Sequence, residues 1–99
     1  MWQKAAKIAD IEEGKSQTVE LSGKPIAIFK AQGDFYAIDN GCPHRGGPLG
    51  EGYLDGFELT CPWHAWVFNI KTGACQTDPE IKQKCFPVKV EGEHVMIDL

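Results

Sequence analysis

Apolar residues along this chain come in short runs broken by glycine turns. Val19 and Leu21 lead into Ser22-Gly23, Pro25-Ile26-Ala27-Ile28-Phe29 runs on to Gln32-Gly33-Asp34, and Phe35-Tyr36-Ala37-Ile38 resumes beyond it. This pattern predicts a meander of hairpins, with glycine supplying the positive φ that tight turns need. Phe86-Pro87-Val88-Lys89-Val90, a turn at Glu91-Gly92-Glu93 and then His94-Val95-Met96-Ile97-Asp98-Leu99 predict a closing hairpin. Pro87 lacks a backbone donor and is expected at an edge or at an outward-facing position. No long segment holds the 3.6-residue apolar period of a sizeable helix, so the expected class is all-β.

Residues 40–62 differ in character. Gly41, Gly46, Gly47, Gly50, Gly52 and Gly56, with Pro43, Pro48 and Pro62, concentrate much of the chain's irregular-backbone chemistry there. The stretch reads as loop, and long loops in compact domains are usually functional because unpaired backbone must be satisfied by something.

With 99 residues, 42% of them hydrophobic and 24% charged, the chain is expected to fold as one domain over residues 1–99. Its core is small, so a metal site would help stabilise it. The net charge of −4, with no basic cluster, argues against nucleic acid as a partner. Mild acidity suits docking against a basic patch on a protein. No stretch approaches the length of a membrane span, and Lys4, Lys7, Asp10, Glu12 and Glu13 interrupt any leader-like apolar run, so the expected location is the cytoplasm. Thiols stay reduced there, which makes the four cysteines candidates for metal ligands or buried thiols, not for a disulfide framework.

The loop region carries Cys42-Pro43-His44 and, after sixteen intervening residues, Cys61-Pro62-Trp63-His64. Each segment offers one thiolate and one imidazole, and two such segments on separate turns can converge on one centre. Two centres accept that donor set. A lone zinc ion takes two Cys and two His in any mixture, as in a zinc-stabilised interaction module; a two-iron cluster takes both sulfurs on one iron and both imidazoles on the other.

The spacing Cys-x-His, sixteen residues, Cys-x-x-His, continued as Ala65-Trp66-Val67-Phe68-Asn69 and followed by Lys71-Thr72-Gly73, resembles the Rieske family across essentially the whole chain. It most resembles the soluble ferredoxins that feed ring-hydroxylating oxygenases, and the small subunit of assimilatory nitrite reductases. The resemblance implies an antiparallel β-sandwich with a cluster-binding subdomain inserted at about residues 40–74. It implies one [2Fe-2S] cluster, with Cys42 and Cys61 on the inner iron, His44 and His64 on the outer iron, and Pro79 in a third, covering loop. It further implies a carrier with no catalytic residues and no small-molecule pocket, taking electrons from a reductase and passing them to a terminal oxygenase or related enzyme. A relay subunit of a nitrite reductase is the alternative.

Gly47 and Trp63 stand where the respiratory branch of the family has a disulfide, and Trp66 and Phe68 stand where it has a serine and a tyrosine that bond the cluster sulfurs. Fewer donors to the sulfurs stabilise the reduced state less, so the expected potential is low for the class, about −150 to −50 mV. Gly41, Gly46 and Gly47 are expected to bring backbone N–H groups toward the sulfides. Cys75 and Cys85 read as buried or half-buried thiols able to pair under oxidation, and His94 as a solvated strand histidine with no role. Arg45 is either a docking contact or a solvated charge, and Trp63 and Trp66 either shield the cluster or pack in the core.

Overall fold

β3 (Lys24–Ala31) organises the molecule. Its Ile26, Ala27, Ile28 and Phe29 are all buried, a continuous apolar run that marks a strand covered on both faces. In the computed structural model, which describes residues 1–41, 48–63, 65–78 and 80–99, β3 lies within a four-stranded sheet. Its neighbours there are β2 (Ser16–Leu21) on one side and β4 (Asp34–Asp39), then β8 (Cys85–Phe86), on the other. A second sheet places β10 (His94–Asp98) between β1 (Trp2–Lys7) and β9 (Val88–Glu91). The third runs β5 (Tyr53–Asp55), β6 (Glu58–Thr60), β7 (Val67–Asn69). All pairings are antiparallel.

Successive side chains of β3 point to opposite faces and so feed two cores. Ala27, Phe29 and Ala31 join Ile38, Leu49, Leu59, Cys61, Phe68, Ile70 and Cys75; Ile26 and Ile28 join Ile11, Ala37, Phe86, Val95 and Ile97. The third sheet therefore shares its core with β3 and β4. Each fully buried Ile or Phe contributes about 1.5–3 kcal/mol, so this shared core is what anchors the sheet that leads into the second Cys/His segment.

The all-β class is as expected, with two short 3-10 turns, Ile8–Asp10 and Leu49–Glu51, as helical pieces among the described residues. No helix among them is long and apolar enough to cross a membrane. Two sequence expectations are corrected. The 40–62 stretch is not loop throughout, because β5 and β6 pair within it. The closing hairpin starts at Val88, because Phe86 pairs with Ala37 of β4 instead. Pro87, exposed between β8 and β9, each the edge strand of its sheet, sits at an edge as expected, where no ladder donor is required.

The turn between β3 and β4 carries Gln32 at φ 52° and Gly33 at φ 83°. Exposed Glu13 accepts both of their N–H groups, at 2.6 and 2.9 Å. The Gly33 and Gln32 bonds hold its carboxyl below the usual value of 4.5. A carboxylate favoured in the folded state stabilises above the ordinary pKa and loses that contribution as pH falls through the lowered one. Glu13→Gln is expected to lower Tm near neutral pH, with the gap to the wild type closing below the lowered pKa in thermal melts followed by circular dichroism. A gap independent of pH would refute the assignment.

Candidate metal centre

The first Cys/His segment leaves the fold where β4 ends. Asn40 N–H donates to Pro25 O at 3.0 Å, Leu49 N–H donates to Asn40 O at 2.8 Å, and Gly41 and Pro48 form a bridge. Gly41 and Pro48, the described residues on either side of the first Cys/His segment, therefore meet at one pinched base. Side chains brace that base: Asn40 Oδ1 accepts Gly50 N–H at 2.7 Å, and Ser16 Oγ donates to Gly50 O at 2.5 Å. Gly41 N–H donates to Asp39 Oδ1 at 2.9 Å. This N–H, expected to approach a sulfide, is instead donated to that carboxylate.

The second segment begins as β6 ends. Cys61 N–H donates to Trp66 O at 2.7 Å, closing a short loop over residues 62–65. Ala65 turns the chain back at φ 57°, a left-handed conformation costing an alanine on the order of 1 kcal/mol. Cys61 is 1% exposed, whereas Trp63 is 50% exposed. Trp66, half-buried, packs against the first core. Trp63 thus belongs to the loop's outer surface and Trp66 to its underside.

The bases of the two segments lie side by side. Leu49 and Cys61 lie in the same core, and a Cβ on Gly52 would stand 2.4 Å from Thr60 O, so the exit of the first loop is pressed against the residue preceding Cys61. A third segment straps the second loop. Gln76 N–H donates to Val67 O at 2.8 Å, Val67 N–H to Thr77 Oγ1 at 3.1 Å, and Cys75 N–H to Ile81 O at 3.2 Å. In the sequence this segment is marked only by Pro79; Thr77 and buried Gln83, which bonds to the base of the first loop, give no signal there, being single polar residues in no pattern.

Of the four expected ligands, Cys61 is described; Cys42, His44 and His64 lie outside the described residues, as do Arg45, Gly46, Gly47 and Pro79. What is described fits a two-iron centre. A buried thiol stands at the root of one loop, that loop's surface is exposed, and the pinched base of a second Cys/His loop abuts it. Cys75 is buried and accepts Asp78 N–H at Sγ, 3.4 Å away, and Cys85 is half-buried. Burial pushes the Cys85 thiol up, only partly opposed by Lys82, which keeps it protonated and poorly nucleophilic. His94 is half-buried in β10 and pairs with Lys7 and Glu91, in a different sheet from the one that leads into Cys61. Among the described residues no three His, Cys, Asp or Glu gather as a further metal site.

Residues 1–91 match the family model of the Rieske [2Fe-2S] domain. The chain belongs to this family. The Rieske domain is 39% identical over 99 residues to the ferredoxin component of the naphthalene 1,2-dioxygenase system of Pseudomonas putida, covering 99% of this chain and 95% of that one. Its fold matches the Sphingomonas yanoikuyae B1 ferredoxin with a TM-score of 0.92 at 31% identity, covering 100% and 99% of the two chains. It also matches, with a TM-score of 0.90 at 31% identity over 97% of this chain and 91% of the other, a structure of the complex of reduced oxygenase and oxidised ferredoxin in carbazole 1,9a-dioxygenase. The cofactor of the Rieske domain is a [2Fe-2S] cluster, so the lone zinc ion that the donor set alone left open is set aside.

Proposed function

We propose that this protein is a one-electron carrier that takes electrons from a reductase and delivers them to a terminal oxygenase or related enzyme. In this reading Cys42 and Cys61 hold the inner iron, His44 and His64 the outer one, and residues 40–74 form the cluster-binding subdomain of a single domain. The observation that carries it is the near full-length likeness to ferredoxin components of dioxygenase systems. When bound, the cluster supplies reversible one-electron chemistry, with the second N–H of each imidazole available to couple a proton to it.

The chain's own part is to hold the ligands still and present one end outward. The Cys61–Trp66 bond, the Gly41–Pro48 bridge and the Cys75–Ile81 bond brace the bases of both segments. The residues flanking His64, Trp63 and Ala65, are exposed, which suits a short path to a docked partner. Phe68 is buried in β7 and brings no hydroxyl to the site, in keeping with a low potential. The reading also carries a cytoplasmic location, a compartment in which thiols stay reduced and available as ligands.

The purified protein is expected to be red-brown, to give a Rieske-type EPR signal of low average g on reduction, and to show a midpoint of about −150 to −50 mV. A midpoint well above zero would defeat the inference from missing sulfur donors. A colourless zinc protein would defeat the carrier itself, and stoichiometric co-purification with a large enzyme would make the chain a fixed subunit.

A further inference from the structure

Gln83 is 5% exposed, the one buried residue among the described ones whose side chain is polar. Its Nε2 donates to Asp39 O at 2.7 Å and to Gly41 O at 2.6 Å, while its Oε1 accepts Lys84 N–H at 3.0 Å. Both amide protons and the acceptor are thus committed, and the two carbonyls they serve sit at the end of β4 and at the start of the first loop. Its backbone faces the other way: Gln83 N–H donates to Gly73 O at 2.7 Å, and Gly73 N–H donates to Asn69 O at 2.7 Å. Asn69 ends β7, the strand that follows the second loop and pairs with β6, which precedes it. One chain of hydrogen bonds therefore runs from the base of the first loop, through Gln83 and Gly73, to the sheet that carries the second.

We propose that Gln83 is a positioning residue that sets the separation of the two Cys/His loops, by holding Asp39 and Gly41 against the strand that frames the loop of Cys61. This rests on the ligand reading above, because it matters only if both loops hold one cluster. The position favours glutamine for reasons of reach and polarity. Asparagine is one methylene too short to meet both carbonyls, a glutamate carboxylate would face them with an acceptor, and leucine would leave both without a donor. A loop base released at Gly41 sits next to Cys42 in the chain, so a small shift there is passed to a ligand without breaking any ligand bond.

The test compares the cluster-loaded wild type with Gln83→Leu, Gln83→Asn and, as a destabilised control in the other core, Ile97→Val. Three quantities are read: the rate of iron release to a chelator, the EPR g values of the reduced protein, and Tm. Gln83→Leu is expected to release iron about tenfold faster, the low end of what outer partners of a metal site contribute. Its g values should also shift, with Gln83→Asn intermediate on both. Ile97→Val should lower Tm with wild-type g values. If the Gln83 variants keep wild-type g values and release iron only in proportion to their loss of Tm, as the control does, Gln83 is structural and the proposal fails. Should Gln83→Leu not fold, Gln83→Asn decides by the same criteria. A wild type that binds no iron or gives no Rieske signal would overturn the ligand reading instead.

Discussion

Cys61→Ser is expected to yield a folded, colourless protein, with visible absorption lost and bound iron reduced at least about tenfold. A serine hydroxyl stays protonated at neutral pH and is a hard, weak donor, whereas iron–sulfur centres are built on thiolates. Cys61 is held by its bond to Trp66 O at the root of its loop, in the same core as Leu49, Leu59 and Phe68. Placing a hydroxyl among those side chains costs about 1–3 kcal/mol, which a β-rich circular dichroism spectrum of the variant would show to be tolerated. His64→Cys is expected to change the spectrum or abolish it, and to lower the potential of any cluster that assembles, since a thiolate adds negative charge. His94→Ala, in β10 and outside the sheet that leads into Cys61, should leave absorption and EPR unchanged. Retention of the full Rieske signal in Cys61→Ser would remove that residue from the ligand set.

Gly73→Ala is expected to destabilise the protein by about 2–4 kcal/mol, adding left-handed strain to a steric clash. Gly73 sits at φ 80°, and a Cβ there would stand 2.1 Å from Gln83 O and 3.0 Å from Cys85 Sγ. The first of these is backbone beside the Ala74–Lys82 bridge, in a residue whose N–H donates to Gly73 O, so it cannot swing away as a side-chain tip could; the strap must separate from β7. Gly92 supplies the contrast, since at φ 60° it has nothing within 4 Å of the same virtual atom. Gly92→Ala therefore incurs the conformational term alone, about 1 kcal/mol. For a chain of this size each kcal/mol moves Tm by roughly 4–8 °C, so paired thermal melts separate the two variants readily. Equal losses would show that close approach at Gly73 contributes nothing.

The parts of this molecule that could be read from the chain are those whose cause is local. Ile26 to Phe29 spell a strand buried on both faces, and Ser22-Gly23 and Gln32-Gly33 turn the chain wherever it lies. The Cys/His spacing of residues 42–64 resembles the Rieske family, to which the chain belongs, because donor identity and short spacing are themselves the chemistry of ligation; the ligand set itself is a proposal. The parts that could not be read depend on partners far away in sequence. β1, with its Lys4-Ala5-Ala6-Lys7, has no apolar alternation of its own and becomes a strand by pairing with β10 at the other end of the chain. β5 and β6 hide among glycines and gain their place from the core that Leu59 shares with Phe29 and Phe68. Pro87 falls between sheets because Phe86 finds β4 and Val88 finds β10. The placement of the two loop bases belongs to the same class: Gly52 lies against Thr60, and Gln83 bonds to both Gly41 and Gly73, contacts between separate segments of the chain. Propensity and donor chemistry act over a few residues and are written in order along the chain, whereas burial and long-range hydrogen bonds exist only once distant segments have met.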